Sequence, residues 1–351
     1  MASVADFSAH NITIYADGAL GVRLRNGAVM PVIGLGTGAY GGPGNGDFPH
    51  YWNDQVTEKA VQDWLRLGGR RIDTALNYVN EAAVGRAVAK SDKARKDIFL
   101  VSKVAGAQPM GYVQTLAAAE RALNQLNTTY IDLLLLHTPG TYPRAHTSDP
   151  ACCHNRVCEH GSAPNTVDTP DCRRSTWRAM QRLLKEGKVR AIGVSNFKNR
   201  HVEDILAEGE PFPDVHQDEH HPYYHDDYLV DLRLNHGIVL NGYSSLGARD
   251  FTSASFFQQQ HSDWARSLLD EPLVKSIAEK NKVSPAIVLL QWSWQSRGRA
   301  LPTVRSRSVS HMRDNLRAIN MHVRQLTPQQ VQALSYFPRR AKIGPETHHV
   351  S

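Results

Sequence analysis

The stretch Val189-Arg190-Ala191-Ile192-Gly193-Val194-Ser195-Asn196 decides the fold. Before it, Ser175–Glu186 reads as a helix closed by Gly187, a residue suited to the left-handed position past a helix end. After it, His201–Glu208 reads as a second helix. The run between them is short, mostly apolar and polar at its last two residues. A strand of that kind lies buried on both faces, which is the mark of a parallel sheet covered by helices.

The same beat repeats in both directions. Upstream, the strands are Val32–Thr37, Arg71–Asp73, Asp97–Lys103 and Ile131–His137, separated by helical patterns at Thr57–Leu67, Glu81–Ala89 and Thr115–Leu126. Downstream, Asp214–Gln217, Ile238–Tyr243 and Ala300–Val304 complete a set of eight. Helices at Tyr228–Asn235, Leu273–Lys280 and Pro285–Gln295 lie between these, and Thr327-Pro328-Gln329-Gln330 opens a last one with a capping box. Eight such units in one chain predict a (β/α)₈ barrel, with an open doubly wound sheet as the second choice. Residues 11–30 read as a small N-terminal hairpin, because Asp17-Gly18 and Asn26-Gly27 are turn signals between apolar residues. The barrel domain is expected over 11–338, between tails at 1–10 and 339–351. Long loops at Gly38–Asn53, Thr138–Arg174 and Arg249–Leu269 each follow a strand's C-terminal end, the face that carries barrel active sites.

Composition agrees. The chain has 351 residues, of which 41% are hydrophobic and 21% charged, enough for a large core and unlike a disordered or collagen-like chain. Its longest apolar runs, such as Leu133–Leu136, fall far short of the roughly 20 residues of a membrane helix. Met1–His10 has no basic cluster leading into an apolar stretch, so a cytoplasmic protein is expected. The net charge of +6 is spread along the chain and shows no nucleic-acid-binding module.

Several strands end in residues that packing would not select: Asp73, Lys103, His137, Ser195-Asn196, Gln217 and Tyr243. Any one alone suits a cap or a satisfied core group. Together, around one opening, they call for a ligand. Asp73 and Lys103 suit an ion pair. A Tyr beside that Lys has its phenolate favoured and becomes usable as an acid or base near neutral pH. Tyr78, five residues after Asp73, is placed to reach back. His137 is placed to orient a carbonyl oxygen. No nucleophile and no strand-end metal cluster stands out, so a cofactor must carry the hydride. The chain has neither the dinucleotide-binding Gly-x-Gly-x-x-Gly nor a P-loop, and Gly34-Leu35-Gly36 reads as tight barrel packing.

These segments resemble the aldo-keto reductase family from about Val22 to Leu334. The resemblance rests on Met30–Thr37, on Ile72-Asp73-Thr74-Ala75 with Tyr78, Asn80-Glu81 and Val84-Gly85, and on Ser102-Lys103. It continues through Ile131–Pro139, Ile192–Phe197, Gln217, His221-Pro222 and Tyr243–Gly247. It implies a barrel that reduces an aldehyde or ketone with a nicotinamide cofactor. Asp73, Tyr78, Lys103 and His137 would be the catalytic tetrad, with Tyr78 as proton donor. Ser195, Asn196 and Gln217 would hold the carboxamide, Tyr243 would stack on the ring, and Ser244 and Leu246 would meet the pyrophosphate. At the adenosine end, Arg305-Ser306 occupies the place of a Lys-Ser pair and Asn315 that of an Asn, while His311 stands where an Arg is usual. Arg305 and Arg307 suit a 2′-phosphate, so NADPH is favoured over NADH.

The substrate side departs from that pattern. Gly38 stands where an aromatic is common, and Tyr40 and Trp52 are the candidates for the pocket wall. All four cysteines, Cys152, Cys153, Cys158 and Cys172, fall in the 138–174 insertion, where disulfides, a zinc site and free thiols are all open readings. The expected partner is a small carbonyl compound, with no nucleic acid and no membrane, and the chain is expected as a monomer or dimer. A cofactor-sensing protein with little turnover on the same barrel is the alternative function.

Overall fold

Each of the eight expected strands pairs in parallel with its neighbours, and the last returns to the first to close a barrel. The computed structural model describes residues 12–38, 53–105, 110–140, 170–209, 211–247 and 267–338. The barrel strands are β4 (Gly34–Gly36), β5 (Arg71–Asp73), β6 (Phe99–Val104), β7 (Leu133–Leu136), β8 (Ile192–Ser195), β9 (Val215–Glu219), β10 (Val239–Tyr243) and β11 (Leu301–Val304). Closure sets Thr303 of β11 opposite Gly34 of β4. The sequence permits this because glycine stands at the tightest contacts. A Cβ at Gly193 would lie 2.2 Å from the Val215 carbonyl oxygen, and one at Gly34 would lie 2.6 Å from the Arg71 Nε.

The expected N-terminal hairpin is instead a three-stranded antiparallel sheet of β1 (Ile12–Ile14), β2 (Leu20–Arg23) and β3 (Val29–Pro31). Both turn signals are used, with Gly18 at φ +79° and Gly27 at φ +85°. The second turn is tied to the N-terminal end of the barrel. Arg25 donates to the carbonyls of Phe212 and Pro213 at 2.6 and 2.7 Å, and Asn26 donates to that of Arg190. These acceptors immediately precede β9 and β8, at the N-terminal end of the strands.

Helices surround the barrel: α1 (Asp54–Arg66), α2 (Glu81–Ala89), α3 (Tyr112–Leu126), α4 (Pro170–Lys185), α5 (Asn199–Leu206), α6 (Asp227–Asn235), α7 (Pro272–Asn281), α8 (Pro285–Gln295), α9 (Val309–Ala318) and α10 (Pro328–Ser335). Their caps match sequence chemistry: Ser284 accepts from Ile287 N, and Thr327 and Gln330 form the expected box. Helix α9 is absent from the sequence reading, although Ser308 caps it. Helix α4 starts at Pro170 rather than Ser175, which takes Cys172 out of the expected loop and into the first turn of the helix, as a buried free thiol. Cys152, Cys153 and Cys158 lie outside the described residues. Among the described residues no helix is long and apolar enough to cross a membrane.

Candidate active site

Parallel strands share one C-terminal rim, and the rim gathers the polar strand ends. Asp73 ends β5, Lys103 is next to last in β6, His137 follows β7, Ser195 ends β8, and Gln217 lies in β9. All five are buried.

Lys103 organises the group. Its ammonium has three protons and meets three acceptors: a carboxylate oxygen of Asp73, the Thr74 carbonyl at 2.9 Å and the Tyr78 hydroxyl at 3.4 Å. With Lys103 only 1% exposed, this pairing offsets the cost of burying the charge. A single 3₁₀ turn, Leu76–Tyr78, swings the phenol over the rim. Val79 then takes the left-handed conformation at φ +57°. Ala105, Asn196 and Ser244 take it too, each directly after a barrel strand, at φ +65°, +61° and +53°. Such backbone is costly outside glycine and concentrates where a site over-determines it.

His137 stands edge-on to Tyr78, with ring centroids 5.7 Å apart. Burial first, and the Lys103 charge second, hold its pKa well below the usual histidine value. The ring is therefore neutral at pH 7 and able to donate from one nitrogen. Its buried Nδ1 makes no hydrogen bond among the described residues. That assigns the proton to Nε2, since an unpaired N–H is the costlier orphan.

Beside Asp73, Tyr78, Lys103 and His137 lies a second polar group. Asn196 Nδ2 donates to the His137 carbonyl at 3.0 Å and to Ser195 Oγ at 3.1 Å, and its Oδ1 accepts from the Tyr243 hydroxyl at 2.7 Å. Gln217 Nε2 donates to Asp73 at 2.6 Å and to Asn241 Oδ1 at 2.7 Å. Ser244 and the half-buried Leu246 form the turn after β10, closed by Gly247 N on the Ser244 carbonyl at 2.7 Å.

The adenosine-side candidates are less gathered. Arg305 donates to the Gly38 carbonyl at 2.8 Å, which sets it on the same rim. Ser306 Oγ accepts from Ser308 N at 3.1 Å, just ahead of α9. Asn315 lies buried on α9 with no side-chain hydrogen bond among the described residues, and His311 is exposed. Tyr40 and Trp52 lie outside the described residues.

A model of the aldo/keto reductase family matches residues 32–337. The chain belongs to this family. Among its relatives, this aldo/keto reductase is 35% identical over 274 residues to a glyoxal reductase of Bacillus subtilis (strain 168), covering 78% of each chain. It is 33% identical over 279 residues to a glycerol 2-dehydrogenase (NADP(+)) of Saccharomyces cerevisiae, again covering 78% of each. The crystal structure of an aldo/keto reductase from Brucella melitensis superposes with a TM-score of 0.70 at 28% identity, covering 92% of this chain and 98% of that one. Membership makes the chain an oxidoreductase on a (β/α)₈ barrel.

Sequence reasoning missed part of the site. Asn80 links three elements: it donates to the Thr37 carbonyl at 2.9 Å and to Thr57 Oγ at 3.3 Å, and accepts from Thr74 Oγ at 3.1 Å. Arg71, Asn241 and Thr303 line the barrel interior below Gln217. The sequence marks them only as an Arg and an Asn inside short strands, with no sign of the partners they meet.

Proposed function

We propose that this aldo/keto reductase reduces an aldehyde or ketone to the alcohol with NADPH, and that Tyr78 supplies the proton. The observation that carries the reading is the Lys103 ammonium, which is shared between Asp73 and the Tyr78 hydroxyl. When bound, the cofactor supplies a hydride to the carbonyl carbon. Tyr78 gives its phenolic proton to the carbonyl oxygen, so the product alcohol gains one hydride and one proton. Lys103 faces the phenolate left behind, and solvent returns the proton. His137, neutral and protonated on Nε2, donates to the same carbonyl oxygen and fixes its direction.

The free atoms suit a nicotinamide carboxamide. Gln217 Oε1 accepts no hydrogen bond among the described residues, and Ser195 Oγ gives its own proton to none of them. One acceptor and one donor complement an amide NH₂ and C=O. Arg305, Ser306, Arg307 and Asn315 are the proposed contacts of the adenosine phosphate, Ser244 and Leu246 those of the pyrophosphate, and Tyr243 the stacking partner of the nicotinamide ring. A small carbonyl compound is the proposed partner, and the cytoplasm the proposed compartment.

The test follows NADPH absorbance with a panel of aldehydes and ketones. Turnover that prefers NADPH to NADH and falls roughly 10²–10⁴-fold in Tyr78→Phe is expected. Turnover unchanged in Tyr78→Phe would overturn the role of Tyr78. Cofactor binding without turnover of any carbonyl would favour the sensing alternative.

A further inference from the structure

Below the proposed carboxamide site, the barrel interior holds a chain of side-chain hydrogen bonds whose direction is forced from one end. Asn241 Nδ2 donates to the Leu301 carbonyl at 2.5 Å and to Thr303 Oγ at 2.9 Å. A backbone carbonyl is only an acceptor. If the Asn241 amide were turned over, its oxygen would face that carbonyl oxygen at contact distance. Arg71 reinforces the constraint: its guanidinium, which only donates, reaches Thr303 Oγ at 3.3 Å and the carbonyls of Val32 and Pro302 at 2.7 and 2.8 Å. Asn241 must therefore present Oδ1 upward, to Gln217.

Gln217 is constrained in turn. Its Nε2 sits between the Asn241 Oδ1 and the Asp73 carboxylate. Turned over, its oxygen would face two oxygens within 2.7 Å, one of them anionic. Its Oε1 is thus the atom left for a ligand. Register supports the linkage, because Gln217 lies directly between Ser195 of β8 and Asn241 of β10.

We propose that Asn241 is a positioning residue that fixes the Gln217 amide so that Oε1 receives the N–H of the nicotinamide carboxamide. This rests on the proposed use of a nicotinamide cofactor. Asn241 itself touches neither cofactor nor substrate. It acts by deciding which end of Gln217 is offered, and so which face of the nicotinamide ring lies toward Tyr78.

The test uses fluorescence titration of the whole chain with NADP⁺, with its 3-acetylpyridine analogue, in which the carboxamide NH₂ is a methyl group, and with adenosine 2′,5′-bisphosphate. In the wild type, NADP⁺ should bind at least about fivefold tighter than the analogue, because the analogue leaves a buried acceptor unpaired. In Asn241→Leu this ratio should fall toward one, while the bisphosphate, which lacks the nicotinamide, binds within about twofold of the wild type. Thr303→Val, which removes one anchor of Asn241, should reduce the ratio part-way and serves if Asn241→Leu does not fold, as judged by its thermal transition. A ratio unchanged in the folded variants overturns the inference while leaving the nicotinamide reading intact. Failure of the wild type to bind NADP⁺ and NAD⁺ alike overturns both.

Discussion

The Lys103 ammonium stands 3.4 Å from the Tyr78 hydroxyl and is held there by the Asp73 carboxylate, with both charged side chains almost fully buried. Removing either charge leaves the other buried without its counter-ion. Asp73→Asn and Lys103→Met should each lower stability by about 3–5 kcal/mol. The double variant should recover part of that loss, since it removes both members of the pair, while the buried Arg71 guanidinium loses the Asp73 carboxylate. Activity should not recover, because the cation facing Tyr78 is gone. Urea unfolding of the four proteins, with turnover on one aldehyde, checks both halves. Additive stability losses would refute the pairing, and an active double variant would refute the role of Lys103.

Two buried groups bias stability in opposite directions with pH. His137 has a folded pKa well below its usual value, so below about pH 6.5 the unfolded chain takes up a proton that the folded chain refuses. This group costs stability as pH falls, by up to about 1.4 kcal/mol per pH unit. Glu81 has its pKa pushed up to about 7 by burial, against a lowering from its Ser102 hydrogen bond. Between its ordinary value of 4.5 and about 7, the folded chain holds a proton that the unfolded chain lacks, so this group adds stability as pH falls. Glu81→Gln should therefore lose stability more steeply than the wild type from pH 7 to 5, and His137→Gln less steeply. Parallel curves for all three proteins would sink the assignment.

Gly38 bears on the same hydroxyl. A Cβ there would stand 3.2 Å from the Tyr78 Cζ and 3.4 Å from its oxygen. Gly38→Val should push the phenol off Lys103 and lower kcat roughly 10–10²-fold. Cofactor affinity, measured by fluorescence titration, should stay unchanged. An unaltered kcat would mean that the ring yields without losing its aim.

The barrel was legible because eight short strand-like runs, most of them ending in a polar group, alternate with helical patterns and leave few alternatives. The Asp73–Lys103 pair was legible for the same reason, since parallel strands deliver their ends to one rim. Arg71 and Asn241 were not. Inside a short strand, a single polar residue does not disclose whether it meets solvent or a polar partner across the barrel, and here the partners lie 232 and 24 residues away. The hairpin became three strands because Met30-Pro31 and Gly34-Leu35-Gly36 run on without a turn signal, yet belong to different sheets. Helix α9 was missed because Ser306, Ser308 and Ser310 give its start the look of a loop.

Arg305 ties the proposed cofactor side of the rim to the proposed catalytic side through the Gly38 carbonyl. If its guanidinium also clamps the 2′-phosphate, Arg305→Ala should raise KM for NADPH about tenfold or more, the loss expected for one charge-assisted contact. KM for NADH, which lacks that phosphate, should barely move. The Gly38 bond makes a different demand, because its loss would disturb Tyr78 whichever cofactor is bound. A fall in kcat common to NADPH and NADH, with both KM values steady, would assign Arg305 to the rim and leave the phosphate to Ser306, Arg307 and the N-terminus of α9. Steady-state kinetics with both cofactors on one aldehyde separates the two.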